Sequence, residues 1–390
     1  MEYFIKKMGI RGRDNKLRLV AYFGRDGFAQ LYDDWLQLIT HVNNLCFSHY
    51  PQWHDAYLNR TSEDKDGIIF CAIYRDKKLV AVFPLVIKKA STFGLVMITI
   101  PYGNLLWIPD CIVAEDEDHG YLFQFLCKNI TSETGIKWDL FKVNNSLGTS
   151  HASKCLAGQA GFSTFSKETA NCNILHVRPY EQTLDNYSKN FKGRLRKARN
   201  KLFKMENVVF QKVTDSEGLA WAFNEFISLE VSGWKGAQEQ TKGREKGTAI
   251  ALYNKFRRFY EGVVTNFGDA GLAEINLLRV DEKTIAAQLA LVIVDTCFLL
   301  KITYDENYAT LSPGNMLLEH LLKSYEDNTL VKYICLITDY RWHADWRPEQ
   351  SSYMTFKHFN KTPKGLLACT ILHIKEIAKS LLRKVKKGSS

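Results

Sequence analysis

The sequence predicts an α+β protein of two tandem domains, each a mixed, mostly antiparallel sheet flanked by helices. Three observations predict it. The chain has 390 residues, 46% hydrophobic and 24% charged, enough for two separate cores. Its β-rich runs come in consecutive groups joined by short polar turns, the signature of antiparallel pairing. The order strand, helix or helices, three strands, helix, strand occurs twice, which predicts an internal structural duplication. The expected domains are 1–180, 181–365 and a basic C-terminal helix and tail over 366–390.

In the first half, Leu17–Phe23 is a strand. Apolar residues at 28, 31, 32, 35, 36, 38, 39, 42, 45 and 46 predict one amphipathic helix over Phe28–Phe47. Ile68–Tyr74 and Leu79–Ile87, joined by Arg75-Asp76-Lys77-Lys78, form a hairpin, and Val96–Ile108 is a third β-rich region. Tyr121–Thr131 is helical, Trp138–Val143 a strand and His151–Gly158 a short helix. Phe162–Phe165 and Asn173–Val177 are two closing strands.

In the second half, Val208–Val213 is a strand, and Leu219–Val231 and Thr248–Phe267 are helices. The intervening Lys235–Gly247 has almost nothing to bury and is a surface loop. Leu272–Val280, Ile285–Val294 and Thr296–Tyr304 are successive strands, turning at Asp281-Glu282-Lys283 and Asp295. Asn315–Glu326 is a helix, Lys332–Thr338 and Tyr353–Phe359 are strands, and Leu366–Val385 is a terminal helix. Between the halves, Leu184–Met205 carries eight cations and, from Asn186 on, no acid. Leu184, Tyr187, Phe191, Leu195, Ala198 and Leu202 follow helical spacing, so one face packs and the rest is basic.

Composition narrows the function. Nine cysteines without a CxxC pair, and a start (Met1–Lys7) without an apolar core, predict buried, reduced thiols and a cytoplasmic protein. The uncharged run Ala90–Pro109 is broken by Gly94, Pro101 and Gly103 and cannot be one spanning helix. A net charge of +10 points to an anionic partner. HExxH, GxSxG and Walker patterns are absent, and the histidines and cysteines lack zinc spacing, so no metal is expected.

The stretch most suggestive of chemistry is Lys301–Glu319, where a strand enters a polar loop that opens a helix at Ser312-Pro313-Gly314. Ser312 suits the N-cap and Pro313 the first helical position. Gly314 admits a close approach, and the free amides of the helix start suit a pyrophosphate. Taken locally, the same residues also describe an ordinary capped helix.

The region from about Asn190 to Trp346 resembles the GNAT-type acetyltransferase domain of the CelD/BcsL-like cellulose-biosynthesis acetyltransferases, relatives of the FemAB peptidyltransferases. The residues that carry the resemblance are Arg194–Leu202, Leu229-Glu230 with Ser232–Gly236, Gly247–Ala249, Ile285–Leu291, Phe298–Glu306 and Tyr308–Gly314; Leu79–Val86 carries a weaker one in the first half. The resemblance implies two GNAT-like domains and direct acyl transfer from acetyl-CoA or another acyl-CoA to a small-molecule, nucleotide-sugar or glycan acceptor, as in polysaccharide biosynthesis. The stretch Asp339-Tyr-Arg-Trp-His343-Ala-Asp345-Trp346 lacks the family's Tyr-Lys, so the acceptor differs.

In such a fold the fourth and fifth strands splay and the acyl thioester passes between them. That selects Tyr304 and Asp305 after one strand and Asp339 and His343 after the other as catalytic candidates. Ser312, Gly314, Asn315 and Lys301 are the expected donor contacts. Glu230, Trp234, Lys235, Arg194, Lys197 and Trp346 are expected at the acceptor, although Glu230 alone reads as a solvated helix position. The basic helix over 189–204 can hold an anionic ligand, tRNA included. The helix over 366–387 either packs its apolar stripe or lies on a membrane surface, at the inner face. Two other functions fit the same residues: a FemAB-like aminoacyl-tRNA-dependent aminoacyltransferase, and a non-catalytic module that binds RNA or an anionic surface. Asp110–His119 is acidic and would repel phosphate, so the first half is expected to be degenerate.

Overall fold

The computed structural model describes residues 17–60, 68–90, 94–101, 108–157, 159, 163–236, 247–326 and 330–388. In chain order the elements are β1 (Leu17–Phe23), α1 (Gly24–Ile39), α2 (Pro51–Asn59), β2 (Ile69–Arg75), β3 (Lys78–Lys89), β4 (Val96–Thr99) and β5 (Ile112–Val113). Then follow α3 (His119–Thr134), β6 (Leu140–Leu147), α4 (His151–Ala157), β7 (Thr164–His176), α5 (Tyr180–Asp185), α6 (Lys189–Leu202), β8 (Val208–Val213), α7 (Ser216–Ser232) and α8 (Asn254–Asp269). The chain continues with β9 (Ala273–Val280), β10 (Lys283–Ile293), β11 (Thr296–Tyr304), α9 (Pro313–Ser324), β12 (Tyr333–Cys335), β13 (Glu349–Phe359) and α10 (Pro363–Gly388). This is the α+β class expected.

The chain separates into two compact units. The first draws on 1–43, 64–169 and 352–390, the second on 44–63 and 170–351. A single cut near 180 divides the chain differently: α2 and the end of β7 from Ala170 count with the second unit, and β13 from Ser352 and α10 with the first. Packing explains α2. Trp53 meets Phe259 of α8 edge-on at 4.9 Å, and Asn266 donates to the Asp55 carboxylate at 2.9 Å.

In the first unit the strands run β1-β2-β3-β4-β6-β13, with β5 on β3. The β2–β3 hairpin turns at Asp76, whose φ of 56° suits a tight turn. Phe28 of α1 packs on Phe70 of β2 at 5.2 Å. β4 lies parallel to β6, pairing Met97–Thr99 with Leu140–Lys142.

In the second unit the order is β7 (from Ala170)-β12-β11-β10-β9-β8. The β9–β10 turn has positive φ at both Asp281 and Glu282, as a two-residue hairpin with the sheet's own twist requires. A core of Phe191, Leu195, Ala198, Leu278, Ala290, Leu317, Leu321 and Trp346 joins α6 and α9 to the sheet.

Several boundaries differ from expectation. The helix expected over Phe28–Phe47 stops at Ile39, and Pro51, at its first helical position, starts α2 afresh. The basic helix starts at Lys189 because the Ser188 hydroxyl accepts from the Phe191 amide and caps it. The helix expected over Thr248–Phe267 is a short 3-10 turn, Ile250–Leu252, followed by α8. The two closing strands of the first half are one strand, β7. Residues 237–246 of the expected surface loop, and 102–107 of the third β-rich region, lie outside the described residues. All nine cysteines are free thiols; only Cys127 is not fully buried.

Candidate active site

The fourth and fifth strands of the second unit separate as expected. β11 pairs in parallel with β12 only over Thr296–Phe298 against Tyr333–Cys335. Beyond that point β11 stays with β10, and a bulge at Leu300, between the pairs Ala290–Leu299 and Leu289–Lys301, bends it. The other strand stays with β7: the Leu336 amide donates to the Asn173 carbonyl at 2.8 Å, and the Asn173 amide to the Thr338 carbonyl at 3.3 Å. The edge of β11 from Leu299 to Tyr304 therefore continues without β12. Ile337, a β-branched residue at φ 61°, marks the divergence. Left-handed backbone at such a residue is costly and collects at functional sites.

Next to this gap α9 begins. Ser312 sits at the N-cap position but in the left-handed region, at φ 49°, and its hydroxyl makes no capping bond. That corrects the expected side-chain cap: with this backbone the hydroxyl is not aimed at the helix amides. Pro313 is buried at the first position, and a Cβ placed on Gly314 would meet only Tyr304 Cδ1, at 3.9 Å. Among the described residues, no other group crowds the backbone at this point. Asn315 turns inward instead, its Oδ1 accepting from Trp346 Nε1 at 3.1 Å. The buried indole of Trp346 stacks edge-on against Phe191 at 5.1 Å and Tyr187 at 5.6 Å, so this residue is part of the core that holds the site.

The catalytic candidates divide. Asp339 is exposed at the end of the gap. His343 is buried, with Nδ1 3.1 Å from both the Thr338 carbonyl oxygen and the Asn173 amide nitrogen. In one neutral tautomer Nδ1 donates to the Thr338 carbonyl, and in the other it accepts from the Asn173 side-chain amide. Burial lowers its pKa to about 4, opposed by Thr338 and Asp339, so it is a weaker base than an ordinary imidazole. Tyr304 is half-buried against the α6–α9 core. Asp305 is engaged structurally, accepting from Lys283 Nζ at 2.7 Å and from the Asn307 amide at 2.9 Å. Burial pushes its carboxyl up, but these donors outweigh it and hold it below its usual range.

Glu230 overturns the solvated-helix reading. It is buried, its Oε2 accepts from the Ile250 amide at 2.7 Å, and its Oε1 lies 3.5 Å from both Lys235 and Lys301 Nζ. Two ammonium groups thus share one carboxylate. Lys301 also reaches the Thr248 carbonyl at 3.4 Å and faces the Tyr260 ring, whose pKa burial raises. Lys235 Nζ donates to the Ile302 carbonyl at 2.5 Å, on β11 near the gap, and lies over the Trp234 ring at 5.8 Å. Burial and Lys301 lower the Lys235 pKa to about 8, against the pull of Glu230. Lys301 is therefore a member of this cluster.

The basic helix splits into inward and outward cations. Arg199 pairs with buried Glu319, which also accepts from Tyr180. Arg194 pairs with Asp345 at 2.7 Å and lies over the Phe191 ring. Lys197 is exposed, as are Lys189, Arg196, Lys201 and Lys204.

Four features escaped the sequence reading: the Asn173–Thr338–His343 knot, Lys283, Tyr260 and Gln288. Asn173 and Tyr260 lie far along the chain from the residues they meet, so no spacing announces them. Gln288 stood in the resembling run Ile285–Leu291, and a lone amide in an apolar strand is a usable signal. It is fully buried, and neither side-chain atom has a partner among the described residues.

Residues 189–344 match the family model described as "Acetyltransferase (GNAT) domain". No curated protein matches the chain. Among solved structures, FemX superposes with a TM-score of 0.56 at 13% identity, over 87% of this chain and 98% of that one. A conserved protein of unknown function from Bacteroides thetaiotaomicron gives 0.51 at 11%, over 85% and 97%. A tandem GNAT protein from the clavulanic acid biosynthesis pathway gives 0.47 at 10%, over 89% and 99%. Residues 189–344, most of the second unit, are thus similar to a GNAT acetyltransferase domain, and the α+β fold of the chain is similar to that of FemX.

Proposed function

We propose that the second unit transfers an acyl group from an acyl-CoA, acetyl-CoA first, directly to an amine or hydroxyl of a sugar, nucleotide-sugar or glycan precursor in the cytoplasm. The observation that carries this is the coincidence of a β11 edge, Leu299–Tyr304, that β12 leaves uncovered, with an α9 start where Gly314 presents no side chain. The edge offers backbone groups to the amides of the donor's arm, and the helix amides suit its phosphates. The donor supplies a thioester carbonyl that an amine or alcohol can attack. The C–S bond breaks as the C–N or C–O bond forms, and no acyl-enzyme is needed.

The acceptor must lose a proton. Lys235, whose pKa burial lowers to about 8 and whose Nζ meets the Ile302 carbonyl of β11, is the base in this reading. Exposed Asp339 orients the acceptor, and neutral His343 holds the Thr338 wall. In a thermal-shift assay, acetyl-CoA should raise the melting temperature of the native protein, and Gly314→Trp should abolish the rise. No shift with any acyl-CoA refutes the donor. Lys235→Arg should cut kcat and remove the alkaline-rising limb near pH 8; an unchanged pH–rate profile assigns the proton to another group.

A second reading keeps the fold and takes an aminoacyl-tRNA as donor. The exposed cations of α6 favour it, since they can track a phosphate backbone. Binding of charged tRNA that weakens steeply with salt, with no response to acyl-CoA, would select it. In a non-catalytic RNA- or surface-binding module, Asp339→Asn and His343→Ala would leave the biological activity intact.

A further inference from the structure

The terminal helix α10 is anchored by its first turns alone. The Thr362 hydroxyl donates to Asp139 at 2.6 Å and accepts from the Gly365 amide at 3.0 Å. Gly365 fits closely, since a Cβ there would lie 2.4 Å from the Asn360 carbonyl oxygen and 2.9 Å from that of Asp139. Ala368 and Cys369 are buried with Leu140 and Phe359, and Leu372 packs beside them. At 100° per residue these three occupy one face of the helix.

The opposite face is apolar and exposed. Leu366, Leu367, Ile374, Ile377, Leu381 and Leu382 are between 44% and 64% exposed. The stripe expected either to pack or to lie on a surface thus points to solvent. An aligned apolar stripe of this kind calls for a covering partner in a way that scattered surface leucines do not. Mean hydropathy is too low for a spanning segment: among the described residues no helix is long and apolar enough to cross a membrane.

Charge identifies the partner. The segment 363–388 holds seven Lys and Arg against a single acid, Glu376. A second set of cations lies on the strands of the same unit: Lys142 of β6 pairs opposite Lys357 of β13. Burial lowers the pKa of both; Lys357 and Lys88 lower Lys142 further, while Lys379, Lys167 and Lys375 lower Lys357 against the pull of Glu376. The strand lysines and the helix lysines therefore form one field. A second copy of this chain would bring two such fields together and be repelled, whereas an anionic bilayer satisfies both the stripe and the cations.

We propose that α10 docks the first unit on an anionic lipid surface, its apolar stripe entering the headgroup region and the lysines around it meeting lipid phosphates. This stands apart from the acyl-transfer reading. The test is flotation of the full chain with vesicles of phosphatidylcholine alone or mixed with phosphatidylglycerol, at low salt. The protein should float with the mixed vesicles and stay behind with the neutral ones. Ile374→Asp combined with Leu381→Asp should abolish flotation without changing the melting temperature, because both side chains are exposed. Failure to float with either vesicle overturns the proposal, as does a double variant that floats as well as the native chain. A native dimer that the double variant dissociates also overturns it, by assigning the stripe to a second copy.

Discussion

Each unit opens a helix after its run of strands, and the two starts are filled differently. In the first unit α3 begins at Asp118, whose carboxylate accepts from the Tyr121 amide at 2.9 Å. Glu115, Asp116 and Glu117 precede it, with Glu117 paired to Arg75. In the second unit α9 begins at left-handed Ser312, without a side-chain cap, beside the open Gly314. The strands differ in parallel. Three of the four residues of β4 pair with β6, whereas three of the nine in β11 pair with β12. Among the described residues, the same order of elements thus yields one copy with a side-chain-capped helix start and one whose β11 runs on beyond its strand partner, beside a helix start without a side-chain cap. A carboxylate in the first start excludes a phosphate by charge and by occupancy. On the proposed reading, what distinguishes the site from the other copy is the set of backbone groups that no neighbouring strand or capping side chain takes up.

The largest way to break this contrast is to empty the buried cluster of the second unit. Glu230→Ala leaves Lys235 and Lys301 without their shared carboxylate and should destabilise the protein by ~3–5 kcal/mol in urea unfolding. Glu230→Gln, which keeps the shape and can accept from Ile250, should cost less; equal costs would mean that charge is immaterial there.

Acid is the next lever. His343 and His54 both lie in the second unit, and burial lowers each to about 4, from an ordinary 6.5. Between those values the unfolded chain binds more protons than the folded one, so stability falls as pH drops from 6.5 towards 4. The slope is up to ~1.4 kcal/mol per pH unit for each imidazole. Urea titrations should show His343→Gln with a shallower slope over that window than the native protein; an unchanged slope contradicts a buried neutral His343.

The smallest effect separates the helix starts directly. Asp118→Ala should cost ~1 kcal/mol through its lost cap, while Ser312→Ala should stay within ~0.5 kcal/mol because it removes no capping bond. Comparable costs in thermal unfolding would mean that Ser312 does cap α9. Neither change at Asp118 nor its charge should affect acyl-CoA binding.

Much of the second unit was legible in the sequence. β8, β9, β10 and β11 fall within two residues of their expected spans because alternating apolar runs end at polar turns, and the two-residue turn at Asp281-Glu282 is a local signal. Ser312-Pro313-Gly314 was legible as a helix start for the same reason. The burial of Glu230 was not, since its partners Lys301 and Ile250 come from other elements. Nor was the left-handed backbone of Ser312 and Ile337, because tertiary context imposes those conformations on residues that resist them. The allegiance of α2 and α10 also escaped. Both are joined in sequence to one set of neighbours and packed on another, and only long-range pairs such as Asn266–Asp55 reveal it. Capping by Ser188 was readable, but the hydrophobic periodicity running through it concealed the break.

Calorimetric titration of the full chain with acetyl-CoA tests the contrast between the two units most directly. The account predicts one equivalent bound per chain, abolished by Gly314→Trp and unaffected by Asp118→Ala. Two equivalents, one equivalent that survives Gly314→Trp, or no binding of any acyl-CoA would contradict it.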